Sequence, residues 1–149
     1  MMKNDIGLFL QDFPWEWMGT LTFAAEPKFM TAKHSFMFWY RLLYREEKLR
    51  VAACVLFSRN KGRKAVLPKG RSHLHVLLFG KNRTGKTLLD CSTKIWEVNW
   101  KRYGFARIKT VTDAKGVSLF LASHCENSYN EIEFFNSGLL KQGRRSSNA

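Results

Sequence analysis

Residues 72–79 read SHLHVLLF, a short apolar run interrupted only by His73 and His75. A run of this length and make-up predicts a buried strand. Side chains alternate along a strand, so both imidazoles point to one face, roughly 6.5–7 Å apart at the backbone. Their ring nitrogens can then converge on one ion. His-x-His alone is a weak motif, and two ordinary strand histidines are the plainer reading. The surroundings add weight to the pair: a basic loop just before it and a threonine-bearing strand as its expected neighbour.

Working outward, Trp17–Phe23 (WMGTLTF) predicts a strand, aromatic and β-branched, with Thr20 and Thr22 on one face. Residues 31–49 predict a helix. Phe36, Trp39, Leu42 and Leu43 fall at helical spacing, and Arg41, Arg45 and Lys48 occupy other faces. Arg50–Ser58 (RVAACVLFS) predicts a second strand. Residues 59–71 read as a Gly- and Pro-containing loop with six basic residues, Arg59, Lys61, Arg63, Lys64, Lys69 and Arg71. Beyond the histidine strand, residues 87–103 predict a helix marked by Leu88, Ile95, Trp96 and Trp100. Residues 105–111 (FARIKTV) predict a fourth strand. A last helix is expected from Asp113, with Val117, Phe120, Leu121 and His124 at i, i+3, i+4 and i+7.

The order is β-α-β-β-α-β-α, and its first six elements match the ferredoxin-like pattern. The expected class is α+β: a ferredoxin-like or RRM-like antiparallel sheet with the first and third strands at its centre. Two helices cover one face, and an additional C-terminal helix lies over the otherwise open one. One domain is expected over 1–140, followed by a loose polar tail over 141–149.

The chain of 149 residues is 45% apolar, with 5 Trp and 12 Phe, enough for a core. Its 25 Lys and Arg against 12 Asp and Glu leave a formal charge of +13. So large an excess on a small domain points to a polyanionic partner, with nucleic acid first. A membrane surface is the rival, but no basic amphipathic helix dominates. There is no apolar run of 18 residues and no signal peptide, so a cytoplasmic protein without a membrane partner is expected. Cys54, Cys91 and Cys125 are odd in number, widely spaced and form no CxxC pair. They indicate neither a disulfide framework nor a zinc knuckle.

Three blocks carry a more specific likeness. WEWMGTLTF (15–23), KGRSHLHVLLFG (69–80) and WKRYGFARIKTVTDAKGVSLFL (100–121) resemble three successive motifs of rolling-circle replication-initiation proteins, the HUH endonuclease superfamily. The resemblance runs from Trp15 to about Leu121, and its second and third blocks are the most specific. It implies that His73 and His75 hold Mn²⁺ or Mg²⁺ against a scissile phosphate. It implies that a tyrosine on the last helix attacks that phosphate and is joined to the DNA 5′ phosphate. The implied partner is single-stranded DNA at the replication origin of a plasmid or phage, with a host replication helicase or polymerase as a further partner. A divalent ion polarises phosphoryl oxygens. A tyrosyl ester retains the bond energy, so the nick can be resealed. Arg63, Lys64, Lys69 and Arg71 of the basic loop, together with Lys115, are the expected phosphate contacts. Thr20 and Thr22 join them if their strand face is the one the histidines share.

The likeness breaks at the nucleophile. The family's third block usually continues Tyr-Leu-x-Lys-Tyr-x-x-Lys, whereas here Phe120 to Asn127 read FLASHCEN. His124 stands where the tyrosine belongs, and the next tyrosine is Tyr129. Five helical steps turn Tyr129 about 140° from His124, so it can serve only if the helix shifts, kinks or ends first. The family also commonly supplies a carboxylate from the strand before the histidines, and Arg50–Ser58 contains none. Glu16 and Asp113 are the nearest substitutes. Two readings therefore stand side by side: an active nickase using Tyr129 or His124, and a degenerate relative that binds DNA without cleaving it.

Residues 80–87 (GKNRTGKT) match the phosphate-binding pattern G-x-x-x-x-G-K-[ST] between a strand and a helix. A small NTPase is thus a third reading, with Lys86 on a triphosphate and Thr87 on Mg²⁺. Such a fold needs a parallel sheet, and the plainer reading is a basic turn whose Lys81, Arg83 and Lys86 meet DNA phosphate. Trp15, Trp17, Phe38, Trp39 and Tyr40 are candidate base-stacking groups, although core packing suits most of them better.

Overall fold

The computed structural model describes residues 10–58, 72–113, 115–117 and 130–143. Five strands form one open antiparallel sheet: β1 (Trp17–Phe23), β2 (Arg50–Ser58), β3 (His73–Lys81), β4 (Gly104–Thr110) and β5 (Asn130–Phe135). Their order across the sheet is β4-β1-β3-β2-β5, which places the histidine-bearing β3 in the middle. The helices are α1 (Phe29–Glu47), α2 (Thr93–Val98) and α3 (Ser137–Gly143), with a 3-10 turn at Leu88–Asp90. The architecture is α+β, and the sheet fits a ferredoxin-like arrangement in general.

Strand alternation sorts the apolar residues into two cores. Leu21 and Phe23 of β1, Val51, Val55 and Phe57 of β2, and Leu74, Val76 and Leu78 of β3 face α1 and α2. α1 meets them with Ala32, Phe36, Trp39, Tyr40 and Leu43, a stripe at helical spacing. It ends where Lys48 adopts a left-handed conformation (φ 56°) and turns the chain into β2. Trp39, Trp96 and Trp100 fill the space between the helices and the sheet, each contributing about 1.5–3 kcal/mol by burial. Their indole N–H groups remain satisfied. Trp39 donates to the Trp96 carbonyl (3.0 Å), Trp96 to the Glu47 carboxylate (2.6 Å) and Trp100 to the Thr22 carbonyl (3.1 Å).

The second core lies on the opposite face. Leu10, Phe13 and Trp15 pack there beside Leu139 and Leu140 of α3, over Ala52, Cys54, Leu56, Leu77 and Phe79. Among the described residues this face is covered by α3, which the sequence reading did not expect, and by the segment before β1. Of the helix expected from Asp113, residues 115–117 are described and are helical, with the Val117 N–H on the Asp113 carbonyl (3.1 Å) and Val117 touching this core, while 118–129 lie outside the described residues.

Three sequence expectations change. The helix expected over 87–103 is broken in two. Thr87 and Asp90 form a reciprocal capping box around the 3-10 turn, and Ser92 then caps α2 through the Ile95 N–H. Two start signals five residues apart cannot belong to one continuous helix. β5 was not expected, although Ile132 and Phe134 alternate with Glu131 and Glu133 there. Finally, 141–143 belong to α3 and not to a loose tail, because Leu139 and Leu140 anchor that helix. No helix among the described residues is long and apolar enough to cross a membrane.

Candidate metal and nucleic-acid site

His73 and His75 alternate with the core residues Leu74 and Val76, so both project to the second face. Their ring centroids lie 4.7 Å apart at an interplanar angle of 85°. His75 is buried at 7% exposure, while His73 is only partly covered, so approach to the pair is from the His73 side. In the β1 pairing, Thr20 stands opposite His75 and Thr22 opposite His73. On the other flank, Leu56 and Ser58 of β2 occupy the same two rungs. One rung further out, β4 places Arg107 opposite Thr20 and Phe105 opposite Thr22.

The position of Thr22 is fixed from behind. Trp100 donates to its carbonyl, and Gly104 lies so close that an added Cβ would sit 2.1 Å from that same oxygen. Only glycine allows β4 to approach β1 there. Ser72, which precedes His73, gives both its N–H and its hydroxyl to the Glu26 carboxylate. Its carbonyl accepts from the Phe23 N–H. The start of the histidine strand is thereby tied to the end of β1.

Two imidazoles on one face can hold a divalent ion whose remaining positions go to water and phosphate oxygens. Among the described residues no group of three or more His, Cys, Asp or Glu side chains converges to hold a metal. Both substitute carboxylates are committed elsewhere. Glu16 accepts from the Gly80 N–H (3.0 Å) and the Leu88 N–H (3.2 Å). Its pKa is raised from the ordinary value by burial, against the pull of those hydrogen bonds. It precedes Trp17, at the end of β1 remote from Thr22. Asp113 is exposed, accepts from the Gly116 N–H (3.2 Å) and follows the same far end of β4. Neither joins the histidines.

The other sequence candidates divide by place. Thr20, Thr22, His73 and His75 come together. Lys115 is exposed and follows the end of β4 that pairs with Trp17. Arg63, Lys64, Lys69, Arg71, His124 and Tyr129 lie outside the described residues. Asn130, next in the chain after Tyr129, pairs with Ser58, which pairs with His73.

The phosphate-loop motif folds upon itself. Asn82 Oδ1 accepts from the N–H groups of Thr84 (2.9 Å) and Lys86 (3.1 Å), and Gly85 takes a positive φ of 89°. Lys86 Nζ bonds the Glu47 carboxylate (3.2 Å) and carbonyl (3.0 Å) at the end of α1. The Thr87 N–H goes to Asp90. Donors that would cradle a triphosphate are spent inside the loop, and the sheet is antiparallel throughout.

Most aromatic candidates are core residues: Trp15, Trp17, Trp39 and Tyr40 are buried, while Phe38 is exposed beneath the Arg102 guanidinium. Sequence reasoning missed Phe105, Arg107 and Glu26. The first two were legible, since Phe105, Arg107 and Lys109 alternate with buried Ala106 and Ile108. The Glu26–Ser72 tie depends on strand pairing across 46 residues and left no local signal. Comparison with family models, with curated proteins and with solved structures finds no match.

Proposed function

We propose that this chain handles single-stranded DNA in the manner of a rolling-circle replication initiator, binding origin DNA of a plasmid or phage and nicking and rejoining it. The observation that carries this reading is the shared face of His73 and His75, with Thr20 and Thr22 directly beside them. The strand order β4-β1-β3-β2, with β5 added at one edge, supports a ferredoxin-like or RRM-like assignment.

His73 and His75 would hold Mn²⁺ or Mg²⁺. Such an ion supplies positive charge that polarises the scissile phosphoryl group. Thr20 and Thr22 donate hydroxyl hydrogen bonds to phosphate oxygens, and Arg107 and Lys109 add charge along the neighbouring strand. The nucleophile read from the sequence is the Tyr129 hydroxyl. Its oxygen bonds to phosphorus as the bond to the 3′ oxygen breaks. The tyrosine hydroxyl gives up its proton as the leaving 3′ oxygen takes one up, and the reverse step rejoins the strand. A cytoplasmic location and contact with a host helicase or polymerase belong to the same reading.

A second reading has its own observation. The two substitute carboxylates are engaged at the far end of the sheet, which favours a DNA-binding protein that has lost cleavage. A labelled single-stranded oligonucleotide incubated with Mn²⁺ separates the two. A covalent protein–DNA adduct, lost in Tyr129→Phe and in His73→Ala, supports the enzyme. Salt-sensitive binding without an adduct supports the silent relative. Absence of single-strand binding overturns both.

A further inference from the structure

Beside the histidines, on the β1–β4 side, the sheet carries a notch of about 250 Å³ lined by Thr20, Thr22, Phe105 and Arg107. These four side chains form a square on two paired strands. Thr20 faces Arg107 across one rung, and Thr22 faces Phe105 across the next. Phe105 is 61% exposed, the largest exposure of any big apolar side chain among the described residues. Arg107 is exposed and has no ion-pair partner among them. Lys109 continues the same face of β4.

A lone exposed phenylalanine needs no explanation. This one is different in its company. An aromatic ring, a guanidinium and two hydroxyls converge on a hollow smaller than the ~300–1,000 Å³ of pockets for drug-sized ligands. A flat heterocycle fits a hollow of this kind. Phe105 offers a π face, and the threonine hydroxyls, which give their protons to phosphate, can accept from the N–H groups of a base edge. Arg107 offers a fork for the adjoining phosphate.

We infer that the notch formed by Thr20, Thr22, Phe105 and Arg107 seats one unpaired base of a single strand, next to the phosphate presented to the histidines. The inference rests on the single-stranded DNA reading and adds to it the element that rejects duplex. A base inside a duplex keeps both its faces stacked on its neighbours, so Phe105 can stack only on a base that has left the stack.

The test is binding of the full chain to a fluorescent single-stranded oligodeoxynucleotide and to its duplex, across a salt series. Phe105→Leu keeps most of the apolar surface but removes the ring. It is expected to weaken single-strand binding by roughly five- to a hundredfold, leaving the salt slope and duplex binding unchanged. Phe105→Trp is expected to restore affinity. Arg107→Gln is expected to weaken binding and reduce the salt slope by about one. Unchanged melting temperatures keep the comparison sound, since both side chains are exposed. Tight single-strand binding that is indifferent to Phe105→Leu overturns the base seat and leaves the single-stranded DNA reading standing. Failure of the unmodified chain to prefer single strand over duplex overturns both.

Discussion

Thr20 of β1 stands directly across from His75 of β3 in the antiparallel pairing. Side chains so opposed have Cβ atoms about 4.5–5.5 Å apart, so a hydroxyl and an imidazole can serve one ligand. The next rung repeats the arrangement with Thr22 and His73. The candidate site is thus built on the rigid middle of a sheet, where strand register and not loop conformation sets the distances.

Glu16 acts as a clip joining the entry of β1 to the end of β3 and the 3-10 turn. Replacing it with alanine strands two backbone N–H groups. Glu16→Ala is expected to lower stability by about 1–3 kcal/mol in urea unfolding while leaving Mn²⁺ affinity unchanged. A loss of metal affinity with stability intact would return Glu16 to the ligand set.

Glu47 receives hydrogen bonds from Trp96 and Lys86. Burial pushes its pKa up, but those hydrogen bonds outweigh it and the net shift is downward from 4.5. A carboxyl lowered in the folded state contributes stability that is complete above its unfolded value and is lost as pH falls through the folded one. The melting-temperature gap between the unmodified chain and Glu47→Gln is therefore expected to be widest near neutral pH. It should close as the pH drops below 4.5. A gap that widens in acid would contradict the sign.

Lys86 is engaged with Glu47 at the end of α1. Lys86→Ala is expected to cost about 0–1 kcal/mol, the range of a partly exposed ion pair. ATP with Mg²⁺ is expected to leave the melting temperature of either chain unchanged. A nucleotide-dependent rise that Lys86→Ala abolishes would restore the NTPase reading.

How much of this was legible beforehand follows from the range of each interaction. β1 and β2 could be bounded to the residue, because alternation and β-branching are local. β3 and β4 came within two residues for the same reason. The shared face of His73 and His75 followed from strand period alone. By contrast, the fate of 87–103 turned on competing caps at Thr87 and Ser92, each a valid start signal by itself. β5 and α3 were hidden because their short apolar pairs, Ile132 with Phe134 and Leu139 with Leu140, gain meaning only against the second face of the sheet. Glu16 as a clip was equally invisible, since its two amide partners lie 64 and 72 residues away.

Leu139 is fully buried in the second core. Leu139→Ala is expected to destabilise the chain by about 2–5 kcal/mol, as for core leucines elsewhere. A change within about 0.5 kcal/mol in chemical unfolding, the usual range for surface sites, would detach α3 from the fold.

Paramagnetic Mn²⁺ titrated into the chain while the histidine ring resonances are followed by NMR tests the metal-binding face most directly. The rings of His73 and His75 should broaden together at the lowest Mn²⁺, with His34 on α1 unaffected, and His73→Ala should abolish the effect at His75. Broadening of His34 to the same degree, or none at His73 and His75, would contradict a shared cation site.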